Sequence, residues 1–331
     1  VIIVTGGAGF IGSAIVWQLN QMGRSDIVVV DSLGSSEKWR NLTPLKFADY
    51  LEKDDFMQLV IDDQVQDYLN IDEQGIEAII HMGACSATTE LDARYLLHNN
   101  FEYTKQLALF AQRCDARFIY ASSAATYGDG DSGFRDDEAE LDSLRPLNMY
   151  GYSKQLFDQW AARQGLLDKI VGLKFFNVFG PNEYHKGDMS SLVIKAYHQI
   201  LSTGKIGLFR SYRQEYADGE QMRDFVYVKD VVDMALYFLD KPEINGIYNI
   251  GSDGANSWNS LAAAIFAALE REVNIEYIDM PEHLKEKYQY YTCSDVSKLR
   301  ATGYAGRQTS LTAAVRDYVV NYLVPNKHLG D

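Results

Sequence analysis

Short apolar runs, each ending on a small, polar or charged residue, set the rhythm of the first half of the chain. Val1–Thr5, Ile27–Val30, Ala78–Ile80, Phe118–Ala121 and Ile170–Leu173 are strand-like and almost wholly apolar, and Leu45–Ala48 is a weaker run of the same kind. Between the first two, Ser13 to Gln21 carries a helical pattern with Ile15, Val16 and Leu19 on its apolar side. A longer helical stretch runs from about Leu91 to Cys114. Strands that are apolar throughout and alternate with helices predict a parallel sheet covered on both faces, an α/β fold. Beyond Phe176 the alternation breaks. Gly180-Pro181 opens a loop, Met189–Leu201 is helical, and Phe209–Arg223 is polar and irregular. Phe225–Val228 and Ile247–Ile250 read as short strands and Leu311–Leu323 as a last amphipathic helix. Residues 1–175 are therefore expected to form one domain. Residues 176–331 are expected to form mainly a smaller mixed α/β lobe, with segments returning to the first domain. No repeat or linker separates the two.

Composition narrows the class of function. With 46 acidic and 31 basic side chains the formal charge is -15, which argues against nucleic-acid binding, because that depends on neutralising phosphates with Lys and Arg. Cys85, Cys114 and Cys293 are odd in number and far apart, and no metal-ligand spacing accompanies them, so no metal site or disulfide framework is expected. No apolar run reaches the roughly 18–20 residues needed to span a bilayer. No membrane association and a cytoplasmic location are the expectation.

The chemistry begins after the first strand. Gly6-Gly7-Ala8-Gly9-Phe10-Ile11-Gly12 stands between a strand and a helix, where glycines let backbone approach a pyrophosphate and the helix N-terminus stabilises its charge. An acid, Asp31, follows Gly12 by 19 residues (31 minus 12) and ends the second strand. These features predict a Rossmann-like doubly wound sheet that binds a nicotinamide dinucleotide. Asp31 facing the ribose hydroxyls favours NAD, whereas Lys38 and Arg40 could accommodate the 2′-phosphate of NADP; the residues by themselves leave both open. Asp49-Tyr50 would flank an adenine. Gly83-Ala84-Cys85-Ser86, after the fourth strand, would pass close to the pyrophosphate, with Asn99 in the following helix anchoring that loop.

Tyr150-Gly-Tyr-Ser-Lys154 places a phenol and an ammonium on one helix face. A lysine beside a tyrosine is expected to favour the phenolate and lower its pKa toward neutrality, giving a base for an alcohol while hydride leaves its carbon. Ser123, ending the fifth strand, can bond the same reacting oxygen.

Taken in order, the glycine turn, Tyr120-Ala121-Ser122-Ser123-Ala124-Ala125-Thr126-Tyr127-Gly128, the Tyr150–Lys154 motif and Phe175-Phe176-Asn177-Val178-Phe179-Gly180-Pro181 resemble the extended short-chain dehydrogenase/reductase superfamily. This implies Ser123, Tyr150 and Lys154 as a catalytic set. His81-Met82-Gly83-Ala84-Cys85-Ser86, Asn182-Glu183-Tyr184-His185-Lys186-Gly187, Gln221-Met222-Arg223-Asp224 and Lys287-Tyr288-Gln289 look more narrowly like the ADP-heptose 6-epimerases, which interconvert the D-glycero and L-glycero forms of ADP-glycero-manno-heptose for the lipopolysaccharide inner core. That resemblance implies Lys186 as a second acid/base and tightly held NADP, with NAD as the alternative. Phe10, Ile11, Ser32, Lys53, Met82, Val178 and Lys186 are then implied beside the dinucleotide. Ser123, Asn177, Lys195, Phe209, Arg210, Ser211, Tyr212, Arg223 and Tyr288 are implied beside ADP-heptose, with Arg223 clamping its diphosphate. A homo-oligomer, a homopentamer, is implied too. Asp188, Asn182 and Ser32 depart from the commoner family choices, and Asp188 is not expected to touch substrate. The runner-up is a UDP- or dTDP-hexose 4-epimerase or dehydratase. A dehydratase would carry Asp-Glu after its active-site hydroxyl residue, where this chain has Ala124-Ala125, and a 4-epimerase has no need of Lys186. A catalytically inactive nucleotide-binding sensor would not need the Ser123, Tyr150 and Lys154 set.

Overall fold

The computed structural model describes residues 1–71, 75–285 and 288–331, without the side chains of 283 and 284. Lys287, part of the resemblance, lies outside them. Seven strands form one parallel sheet: β1 (Ile2–Thr5), β2 (Ile27–Asp31), β3 (Asp49–Glu52), β4 (Ala78–His81), β5 (Arg117–Ser123), β6 (Ile170–Phe175) and β7 (Gly246–Ile250), in the spatial order β7-β6-β5-β4-β1-β2-β3. The expected doubly wound α/β architecture is present. Along β1, Ile2 and Val4 pack into one core and Ile3 into the other, so alternate side chains serve opposite faces and both must be apolar. The chain order reverses beside β1, between β4 and β2, which opens a crevice at the carboxyl ends of these strands.

β3 starts where the sequence pattern ended it. Leu45–Ala48 was the expected strand, but the Asn20 side chain takes both backbone groups of Lys46, accepting from its N–H at 2.8 Å and donating to its carbonyl at 2.7 Å. With those groups occupied, pairing with β2 begins only at Ala48, whose N–H donates to Ile27. The long helix is three joined pieces, Ala93–Leu96, a wider-turned Leu97–Glu102, and Tyr103–Arg113. Around the sheet's end, short pairs complete a mixed lobe: Asn177–Phe179 with Phe225–Tyr227, Ile206–Phe209 with Ile275–Ile278, and Met222–Arg223 with Asn256–Ser257. No helix among the described residues is long and apolar enough to cross a membrane.

A buried histidine ties the centre of the sheet together. His81 is 1% exposed; Nδ1 lies 2.5 Å from Thr5 Oγ1 and Nε2 2.9 Å from Thr104 Oγ1. Thr104 donates onward to Asn100 O, and Thr5 Oγ1 accepts from Gly83 N–H. A neutral ring protonated at Nε2 lets every hydrogen in this chain point the same way. Burial, with Lys154 adding to it, pushes the His81 pKa from 6.5 down to about 3. The folded state therefore binds fewer protons than the unfolded chain between those values. The stabilising effect is complete above the unfolded pKa and is lost as pH falls toward the folded one, by about 1.4 kcal/mol per pH unit. In urea titrations, the stability advantage of the wild type over His81→Gln at about pH 7 is expected to shrink by roughly 2–4 kcal/mol at about pH 4.

Candidate active site

Asn148 caps the helix Met149–Arg163 by accepting from the Gly151 N–H at 2.8 Å. The cap sets Tyr150 in the first turn and Lys154 one turn further, on the same face. Gly151 permits the approach to the sheet, since a Cβ there would stand 2.7 Å from the Ala125 carbonyl oxygen. Ala125 lies in the turn Ala124–Tyr127, capped by Ser123, whose Oγ accepts from Ala125 N–H at 3.1 Å. Tyr150 and Ser123 are thereby hydrogen-bonding neighbours.

The electrostatics of this pair differ from the expectation. Burial pushes the Tyr150 phenol upward, with the Ser123 hydrogen bond pulling it the other way. Lys154 is not among the groups that act on the phenol; its ammonium donates to Ala121 O at 2.8 Å. Burial lowers the Lys154 pKa to about 8 against the opposing carboxylate of Asp158. Asp158, fully buried one turn beyond Lys154, accepts from Tyr120 Oη at 2.9 Å and Ser122 Oγ at 2.7 Å and lies 3.6 Å from the buried Lys174.

Lys186 comes from the turn Tyr184–Met189. Its ammonium stands 5.7 Å from the centre of the Phe10 ring, and burial pushes its pKa down against the opposing charge of Glu183. Ser123, Tyr150, Lys154, Lys186 and Lys195 all line one cavity of about 640 Å³. Phe10, Ile11, Met82, Ala84, Ser86, Asn177, Val178, Phe209 and Tyr288 line the same cavity. No carboxylate is among its described lining residues, although the chain as a whole carries a charge of -15.

A second cavity, of about 270 Å³, holds the other dinucleotide candidates: Gly6, Asp31, Ser32, Lys38, Lys53, Gly83, Ala84, Cys85 and Asn99. Gly9 and Gly12 form the turn beside it. A Cβ at Gly12 would stand 2.1 Å from Gly6 O, and one at Gly6, where φ is +66°, would stand 2.5 Å from Gly83 N. These contacts leave no room for a side chain and give the tight turn and close helix–strand packing expected of a dinucleotide-binding glycine turn. Asp31 is already engaged: Lys38 lies 2.5 Å from Oδ1, Ala8 N–H donates to Oδ2 at 2.9 Å and Ser32 N–H to Oδ1 at 2.7 Å. Lys53 donates to Asn99 Oδ1 at 2.8 Å. Tyr50, inside β3 rather than after it, donates to Asp31 O at 2.8 Å.

The anchor of the Gly83–Ser86 loop is Asn100, not Asn99. Asn100 accepts from Cys85 N–H at 2.8 Å, donates to Cys85 O at 3.0 Å, and donates to Ser153 Oγ on the Tyr150 helix at 3.0 Å. The wider helical turn Leu97–Glu102 sends adjacent asparagines to different tasks. A pair of poor helix formers inside a helical run was the available signal.

The remaining substrate candidates, Arg210, Ser211, Tyr212 and Arg223, are not among the cavity's lining residues. Arg223 is buried, donating to the carbonyls of Met222 and Gln289, with its guanidinium 5.1 Å from the centre of Tyr288 and 5.7 Å from that of Trp258. Among the described residues it forms no ion pair. Arg210, Ser211 and Tyr212 are not among the cavity's lining residues: Arg210 donates to Tyr277 O, Ser211 Oγ to Arg213 O, and Tyr212 Oη to Asp279. Asp188 is exposed and offers only its carbonyl, to Lys195 at 2.6 Å. Trp258, which lines the cavity, escaped the sequence reading; its helix start is legible in Ser257, but the direction of its indole is not.

Residues 2–251 match the sequence profile of the NAD dependent epimerase/dehydratase family. The chain belongs to that family. Within it, the chain is 55% identical over 321 residues to the ADP-L-glycero-D-manno-heptose-6-epimerase of Nitratidesulfovibrio vulgaris, covering 97% of both. It is 49% identical to the enzyme of that name from Fusobacterium nucleatum, covering 97% of this chain and 98% of the relative. Among solved structures, the Helicobacter pylori ADP-L-glycero-D-manno-heptose-6-epimerase superposes with a TM-score of 0.79 at 25% identity, covering 97% of this chain and 95% of that one. A UDP-N-acetylglucosamine 4-epimerase from Methanobrevibacter ruminantium shares the fold at the same TM-score and 22% identity, covering 98% of each chain. For an epimerase of this family, Gly151→Ala should force the Tyr150 helix away from Ala125. Turnover is expected to fall by about tenfold or more, with bound dinucleotide retained, as assays of activity and cofactor content would read.

Proposed function

We propose that this isomerase interconverts ADP-D-glycero-D-manno-heptose and ADP-L-glycero-D-manno-heptose through a transient 6-keto intermediate. The observation that carries the reading is one cavity holding two titratable groups whose surroundings push them in opposite directions. Burial raises the Tyr150 phenol, so that it holds its proton more firmly, and lowers the Lys186 ammonium, so that it gives its proton up more readily. This is the poise of an acid and a base sharing one site. The heptose named in the relatives supplies the substrate.

In this reading, one group takes the proton of the C6 hydroxyl as the carbon is oxidised. When bound, the dinucleotide supplies the hydride acceptor and returns the hydride. C6 lies outside the sugar ring, so the ketone can turn about the C5–C6 bond and present its other face. The oxygen then points to a different wall of the cavity, where the second group returns a proton. Ser123 holds the oxygen on the Tyr150 side. Lys195, on the cavity wall, and Arg223, outside its lining and paired with no carboxylate among the described residues, would meet the diphosphate. Asn177, Phe209 and Tyr288 complete the substrate wall from the 176–331 lobe.

NADP is the proposed dinucleotide. With Asp31 neutralised by Lys38 and by backbone N–H groups, a 2′-phosphate would meet the lysines Lys38 and Lys53 rather than a bare carboxylate. The family resemblance supports a cytoplasmic homopentamer serving lipopolysaccharide inner-core synthesis.

Incubation with ADP-D-glycero-D-manno-heptose, followed by NMR of the products, tests the assignment; unchanged heptose alongside conversion of UDP-galactose would overturn it. Tyr150→Phe and Lys186→Met should each reduce interconversion by about a hundredfold or more while retaining dinucleotide. Near-normal interconversion in Lys186→Met would remove the second base from the mechanism. Lys38→Ala should weaken NADP about tenfold, or ~1.4 kcal/mol, and leave NAD nearly unchanged in binding titrations.

A further inference from the structure

We propose that Asn182 is a positioning residue that holds the Lys186 turn in register with the glycine turn of the dinucleotide site. The proposal rests on the reading of Lys186 as the second acid/base. Asn182 is fully buried, and its φ of +79° belongs to the left-handed region that non-glycine residues seldom occupy. Its side-chain amide and its carbonyl are committed to different parts of the chain. Nδ2 donates to Ser13 Oγ at 2.9 Å, one residue past Gly12 in the first helix. Oδ1 accepts from Leu329 N–H at 2.9 Å. Its carbonyl accepts from Asn41 Nδ2 at 3.0 Å, and the same amide nitrogen of Asn41 donates to Ala8 O, inside the glycine turn, at 3.0 Å.

The next residue works differently. Glu183 accepts from Gly180 N–H at 3.3 Å, Ser191 N–H at 2.6 Å and Ser191 Oγ at 2.7 Å. Glu183 therefore closes the neck of the Lys186 turn on itself, and Asn182 ties that closed turn to the first helix. Lys186 follows within one turn, its N–H donating to Glu183 O at 3.0 Å, and its ammonium stands over Phe10, whose carbonyl accepts from Ser13 Oγ at 3.2 Å. A path of five residues, Phe10, Ser13, Asn182, Glu183 and Lys186, thus begins and ends at the cavity. A shift of Asn182 would move the amine relative to the reacting carbon, and a misplacement of about 1 Å is enough to cost a large factor in rate.

Asn182→Gly keeps the positive φ available and removes both side-chain bonds, so it separates the clamp from the backbone conformation. Ser13→Ala removes one of those bonds from the opposite side without touching the turn. The readout is the transient reduction of bound dinucleotide in stopped flow, started separately from ADP-D-glycero-D-manno-heptose and from its L-glycero epimer. The expected result is a slowing of about tenfold or more for one epimer, the same one that Lys186→Met fails to oxidise, with the other within about twofold. Ser13→Ala should give a smaller slowing with the same selectivity, and the double variant should be no slower than Asn182→Gly. Equal slowing from both epimers, or loss of bound dinucleotide, would make Asn182 merely structural and overturn the proposal. So would normal rates from both. If Lys186→Met itself shows no preference between epimers, the two-base reading fails first and takes the clamp with it.

Discussion

Backbone meets backbone at the carboxyl end of β1, and the geometry of both cavities follows from that contact. Gly6, Gly12 and Gly83 come so close that a single added carbon would stand 2.1 Å from Gly6 O or 2.5 Å from Gly83 N. Because β1 lies between β4 and β2, this is also the point where the sheet's winding reverses and a crevice opens. The close approach brings the first helix over the crevice and the Gly83–Ser86 loop along its side. His81, Thr5 and Thr104 hold that arrangement from beneath through hydrogen bonds aligned in one direction.

A second buried structure supports the reacting side. The helix Met149–Arg163 sends Lys154 and Asp158, one turn apart, toward the end of β5. Lys154 bonds Ala121 O, and Asp158 bonds Tyr120 and Ser122 and pairs with Lys174. Removing one member of a buried pair costs about 3–5 kcal/mol, because the other is left uncompensated. These bonds leave Lys154 with little freedom. The cavity above is lined with lysines and, among its described lining residues, with no carboxylate. An acidic chain has thereby kept carboxylates away from the described wall that an anionic ligand would meet.

Much of the site was legible because its signals are local. A strand, a glycine turn and a helix follow one another within twenty-one residues, and Tyr150 and Lys154 share a face by helical spacing alone. Errors arose where a side chain from elsewhere intervened. Asn20 captures the backbone of Lys46 and delays β3. The widened turn around Asn99 hands the loop anchor to Asn100. Trp258 faces the cavity from a helix whose sequence looks ordinary.

Periodicity, glycine placement and the i, i+4 motif determined the doubly wound sheet, the dinucleotide turn and the catalytic helix, because each depends on residues only a few positions apart. The tertiary structure decided what those groups can do. It placed Lys186 and Tyr150, 36 positions apart (186 minus 150), on one cavity. It raised one and lowered the other by burial, and it tied the Lys186 turn to the first helix through Asn182. Desolvation and long-range hydrogen bonding depend on which distant segments pack together, and local spacing carries no record of that.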